Sequence, residues 1–158
     1  MDMEAWMNAF ASTDIELPEK YKDSFHKYCL TRIDGSQNDP EDCPFPRMVD
    51  MWFMAICIAA KEGLKPILEN KDKTYKAING AVFGSDIWRS NAMMLLAIAD
   101  TGDVTITDRP HDMIRIANAY ALAGLPRLIS ILEDGKKGDT VLDHLSDYIM
   151  ELIQERNG

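Results

Sequence analysis

Three histidines, three cysteines and two knots of charged residues carry whatever chemistry this chain can do. A catalytic nucleophile needs a base within hydrogen-bond reach and a third group that orients the base. His26, His111 and His144 fall on separate predicted helices, and Cys29, Cys43 and Cys57 show no paired spacing. His26 and Cys29 stand at i, i+3 on one helix, a geometry metals accept, but two ligands do not complete a site. They read as structural. Asp100, Asp103, Asp108 and Asp112 crowd one loop and the helix start after it. Paired carboxylates can share a proton or hold magnesium. Anions also favour the positive end of a helix, which accounts for Asp108 and Asp112 without any reaction. The loop Asp34–Pro44 looks like a calcium loop until its positions are counted from Asp34. The sixth holds Asp39 where glycine is needed, and the twelfth holds Phe45 where a bidentate Glu is needed. The glycines of NGAVFGS (79–85) lack nucleotide-loop spacing. No catalytic, cofactor or metal residue is assigned.

Charge placement says more. Arg47, Asp50, Trp88 and Arg89 stand at the starts of the two most apolar helices, where charged side chains must reach water or pair. An Arg47–Asp50 pair at i, i+3 is a local stabiliser of about 0.2–0.5 kcal/mol. The functional alternative is a protein interface, because Trp and Arg are enriched among energetic anchors. Trp6, near the N-terminus with Met7 and Phe10, joins this candidate set as a handle for a partner. Lys65, Lys71, Lys73 and Lys76 form a basic cluster, interrupted by Glu69 and Asp72. It reads as a solvated face, with a small phosphate patch as the alternative.

These residues are positioned by helices. The organising stretch is FPRMVDMWFMAICIAAKEG, Phe45 to Gly63, opened by Pro46 and closed by Gly63. Its apolar residues cover most of the helical circumference, so it should lie at the centre of a core. Met1–Ala11 reads as a short helix, and Pro18 opens another that carries Tyr21, Phe25, Tyr28 and Cys29. Ser85 is the expected cap of a helix to Asp100, followed by a short extended piece around Ile106. Pro110 starts a helix that stops at Gly124, and Pro126 begins the next. Gly just past one helix and Pro just inside another predicts a tight corner. Asp139 is the expected cap of a last helix with Val141, Leu145, Ile149 and Leu152 on one stripe. The fold expectation is therefore all-α: a single compact domain of six or seven helices, without a convincing strand and with a solenoid-like second half. Residues 1–44 supply N-terminal helices and the acidic loop, and residues 45–156 the core.

The chain has 158 residues and a formal charge of −9, divided evenly: ten Lys/Arg against fourteen Asp/Glu in residues 1–80, seven against twelve in 81–158. So acidic a surface repels phosphate backbones, which argues against direct nucleic-acid binding. It also suits a DNA mimic that occupies a partner's nucleic-acid groove. Three widely spaced cysteines without a disulfide or zinc spacing point to a reducing compartment. The acidic N-terminus is unlike an export signal, and Arg47, Asp50, Lys61 and Glu62 make Phe45–Gly63 too charged for a membrane span. A cytoplasmic protein is expected.

DMWFMAICIAAKEG (50–63), AVF (81–83), LLAIADTGDVTIT (95–107) and ANAYALAGLPRLISIL (117–132) give the chain a pattern that resembles the small proteins associated with DNA phosphorothioation (Dnd) gene clusters. The resemblance carries no catalytic signature. It implies bacterial antiphage defence in the company of larger DNA-handling proteins. The leading expectation is a non-enzymatic accessory subunit that acts through protein contacts. The alternatives are an acidic inhibitor that mimics DNA and a small metal-dependent enzyme using the Asp100–Asp112 cluster.

Overall fold

The computed structural model describes residues 8–30, 39–134 and 138–158. In chain order the elements are strand β1 (Ile15–Pro18), a 3-10 turn (Glu19–Tyr21), α1 (Lys22–Tyr28), α2 (Met48–Glu62), β2 (Thr74–Ile78), a 3-10 turn (Gly80–Gly84), α3 (Ile87–Thr101), a 3-10 turn (Val104–Asp108), α4 (Pro110–Glu133) and α5 (Val141–Asn157).

The organising helix forms where the sequence puts it. At the start of α2 the Asp50 carboxylate accepts the Arg47 backbone N–H at 2.9 Å, satisfying a donor that the first helical turn leaves free. Gly63 closes the helix at φ +66°, a left-handed conformation that a side chain would disfavour. Val49, Met51, Trp52, Ala55, Ile56, Ile58 and Ala59 are all buried, so this helix is enclosed on most sides as its composition requires.

What encloses it differs from the expected corner. Residues 110–133 form one continuous helix, α4, with Pro126 inside it. Gly124 has a tertiary task instead of a turning one. A Cβ built there would lie 1.9 Å from the Ala55 carbonyl oxygen, so α2 and α4 touch backbone to backbone at this point. Leu122, Leu125, Leu128, Ile131 and Leu132 are buried on both sides of the proline. Their packing offsets the one hydrogen bond that Pro126 cannot donate. Because α2, α3 and α5 all pack on α4, the second half is a hub with helices around it and not a solenoid. The described residues hold five α-helices, fewer than the six or seven expected, mainly because two predicted helices are one.

The expectation of no strand is also overturned. β1 pairs antiparallel with β2, Leu17 opposite Tyr75 and Pro18 opposite Thr74, with an irregularity between Ile15 and Glu16. Pro18 therefore ends a strand, and the helix attributed to it begins only after the 3-10 turn. A two-stranded ribbon is marginal alone. Here Ile15, Leu17 and Ile78 are buried in the core cluster. One polar chain fastens the ribbon to the helices: Trp52 Nε1–H donates to Asn118 Oδ1 at 3.0 Å, and Asn118 Nδ2 donates to the Glu16 carbonyl at 2.9 Å.

Smaller corrections follow the same logic. Asp86, not Ser85, occupies the N-cap of α3, while the Ser85 hydroxyl donates to the Val82 carbonyl. The piece around Ile106 is a 3-10 turn capped by Asp103, with Ile106 buried, and is not extended. Thr140, not Asp139, caps α5: its hydroxyl accepts the Asp143 N–H while Asp143 accepts the Thr140 N–H. That bond from the Thr140 backbone holds the Asp143 carboxyl below the usual range. Of the predicted helix Met1–Ala11, residues 1–7 and thus Trp6 lie outside the described residues. The rest is a turn that buries Phe10 edge-on against Phe83 at 5.6 Å.

Candidate interaction site

The four charged and aromatic residues picked from helix starts come together in space. The N-termini of α2 and α3 meet, and Arg89 lies between them, 4% exposed. Its Nη1 donates to Asp86 Oδ2 at 2.8 Å and its Nη2 to Asp50 Oδ1 at 2.7 Å. Arg47 closes the ring from outside, with Nη2 2.8 Å from Asp86 Oδ2 and Nε 3.3 Å from Asp50 Oδ2. Two guanidiniums and two carboxylates cancel in formal charge. Asp50 also sits in the first turn of α2 and Asp86 at the N-cap of α3, where the positive end of the macrodipole favours them. The hydrogen bonds Arg47 donates to Asp86 and then to Asp50 push its pKa further up. Sequence reasoning placed Arg47 with Asp50 but missed Asp86, because Ser85 beside it reads as the cap.

The aromatic part stands on this ion network. The Arg89 guanidinium carbon lies 4.7 Å from the Trp88 ring centre and 5.1 Å from that of Phe53. Trp88 and Phe53 meet edge to face at 5.3 Å. Cation–π contact over a desolvated guanidinium contributes on the order of 1–2 kcal/mol, so the indole is held in place by a fixed charge beneath it. Yet Trp88 is 58% exposed. An immobilised indole facing water is the signature of an anchor for another surface.

The other candidates do not converge in this way. Asp100 accepts from the Tyr120 hydroxyl at 2.8 Å, and Asp103 accepts from Thr105 N at 2.9 Å and Thr105 Oγ1 at 2.7 Å. Asp103 and Asp112 both reach Arg109, at 3.4 and 3.5 Å. Among the described residues no three His, Cys, Asp or Glu side chains are placed to hold a metal ion. Burial pushes the Cys29 thiol up to about 12 and raises that of Cys57, so both keep their protons at neutral pH. The lysine cluster is divided by acids: Lys73 pairs with Glu19, Lys76 with Asp14, and Lys20 with Asp72. No helix among the described residues is long and apolar enough to cross a membrane.

With the geometry in place, comparison decides the family. The profile described as DNA sulphur modification system-associated protein 4 matches residues 32–157. The chain belongs to that family. Membership bears out the resemblance read from Arg47 to about Leu152, and extends it at the N-terminal side over the acidic loop. No curated protein and no solved structure matches the chain. The match covers all four residues of the ion network together with Phe53 and Trp88, while β1 and α1 fall before it.

Proposed function

We propose that this protein is a non-enzymatic accessory subunit of a bacterial DNA sulphur modification system, serving antiphage defence, and that Trp88 anchors its contact with another protein. The observation that carries the reading is the exposed indole clamped over a buried Arg89 whose two Nη atoms are paired with Asp86 and Asp50. Pairing uses the guanidinium and both carboxylates for structure, leaving the aromatic face as the part that meets a partner. Family membership supplies the setting. The test is co-expression of the tagged chain with the DNA sulphur modification proteins of its host. A complex should form with one of them, and Trp88→Ala should weaken it by about 10-fold or more while lowering the thermal midpoint by only about 2–8 °C, the loss of the contacts with Arg89 and Phe53. Trp88 projects from the surface, so folding is not at stake. An undiminished complex in the variant removes Trp88 from the role.

A second reading, occupation of a partner's nucleic-acid groove, is favoured by a different feature. Asp143, Asp147, Glu151 and Glu155 recur every fourth residue of α5 and are exposed. Successive carboxylates are thus about 6 Å apart along the axis, a regular line of negative charge. Such a mimic should displace duplex DNA from the modification enzymes in a salt-sensitive way. Displacement unchanged by Asp147→Asn with Glu151→Gln counts against it.

A further inference from the structure

α3 carries two apolar stripes, and only one of them is used by the fold. Met93 and Ala97 face the core and are buried. On the opposite side, Trp88, Ala92, Leu95 and Ala99 follow one another at i, i+4, i+7 and i+11, the spacing of a helix-packing seam. Leu95 is 66% exposed, and Val104, just past the end of the helix, is 68% exposed. The ionisable residues of α3 are Arg89, which is buried, and Asp100 at its last turn. An uncharged, apolar outer face is anomalous in a chain that carries −9.

We infer that this stripe is the contact between two copies of the chain, paired through antiparallel α3 helices. The inference rests on the reading of Trp88 as a contact residue and gives it a second copy of the chain as occupant in place of a modification-system protein. The order large, small, large, small is self-complementary when two such helices run in opposite directions. Trp88 of one copy then lies level with Ala99 of the other, and Leu95 level with Ala92. Each bulky side chain meets a small one, at both ends and in the middle, as a two-fold interface requires. The antiparallel arrangement also carries the Val104 end of one copy to the Ile87 end of the other, and both of those residues are exposed. Charge points to the same occupant. A basic partner would be recognised by carboxylates along the stripe, and Trp88, Ala92, Leu95 and Ala99 have none between them; Asp100 and Asp103 lie only at its far end. Two copies of −9 repel, so they approach only where ionisable groups are absent.

Sedimentation of the full chain from about 1 to 100 µM tests this, the range expected for a contact at the small end of specific interfaces. The mass should rise toward twice the 17.9 kDa of one chain. Leu95→Glu should leave a monomer throughout, and it should melt like the dissociated wild-type chain at low concentration because Leu95 is exposed within one copy. Leu95→Lys alone should also abolish pairing. Adding Ala92→Glu should restore it, since the new ammonium at 95 then faces the new carboxylate at 92 of the other copy. A wild-type chain that stays monomeric across the range overturns the inference, and so does a dimer that survives Leu95→Glu. Failure of the double variant to regain pairing overturns the antiparallel register. The parent reading is judged separately: a monomeric chain whose Trp88→Ala variant still loses its modification-system partner keeps Trp88 as an anchor, with that protein as occupant. A monomer whose Trp88→Ala variant binds like wild type loses both.

Discussion

Gly124→Ala should destabilise the protein by about 3 kcal/mol or more, although alanine is the better helix former by about 1 kcal/mol. The intrinsic preference favours the substitution because Gly124 lies in the interior of α4. Packing opposes it with a larger effect. The new methyl carbon would stand 1.9 Å from the Ala55 carbonyl oxygen and 2.7 Å from its carbonyl carbon, against backbone that cannot rotate aside as a side chain could. Relief requires α2 and α4 to separate, and these two helices hold Trp52, Ala55, Leu125 and Leu128 between or beside them, all buried. Urea unfolding of the variant measures the balance. A midpoint equal to or above that of the parent chain would mean that the helices do not meet at Gly124, and the hub arrangement around α4 would fall with it.

The same position shows why part of the fold was legible in the sequence and part was not. α2 was readable because its signals agree: proline ahead, an apolar girth, a left-handed glycine behind. At Gly124 and Pro126 the local grammar of a turn was present, but the glycine answers to Ala55 across the core. Local rules cannot see a contact between residues so far apart in the chain. The β ribbon escaped for the same reason. Ile15–Pro18 and Thr74–Ile78 are short, each too brief for a period-two pattern to stand out, and their pairing partners lie more than fifty residues away. Pro18 compounded this, being as acceptable at the end of an edge strand as at the start of a helix. The interaction site was half legible. Arg47, Asp50, Trp88 and Arg89 could be chosen because charge at the head of an apolar helix demands an explanation. That Arg89 would be the buried member and Trp88 the exposed one follows from the way the two helix starts meet, which no periodicity encodes.

Arg89→Met should cost about 3–5 kcal/mol, the range for breaking a buried ion pair by removing one partner. The Asp50 and Asp86 side chains are 18% and 16% exposed, so partial solvation moves the expectation toward the lower end. Methionine fills most of the arginine stem, which makes lost packing the minor part of the effect. What remains is two carboxylates facing one another, with only the half-exposed Arg47 left to neutralise both. Pairing this change with Asp50→Asn and Asp86→Asn removes the stranded charge and should recover more than half of the loss, because a neutral hydrogen-bonded cluster is far cheaper to bury than unpaired anions. Arg89→Lys is no substitute: one ammonium cannot reach both acids while presenting a flat cation to Trp88. All three variants are compared by chemical denaturation, with Trp88 emission as a second readout. The indole should become more mobile in every one of them, since each removes the planar cation on which it rests. If the single methionine variant unfolds within about 0.5 kcal/mol of the parent, as an ordinary surface substitution would, then Arg89 is not the buried centre of the network and the exposed indole has lost the support on which its role as an anchor depends.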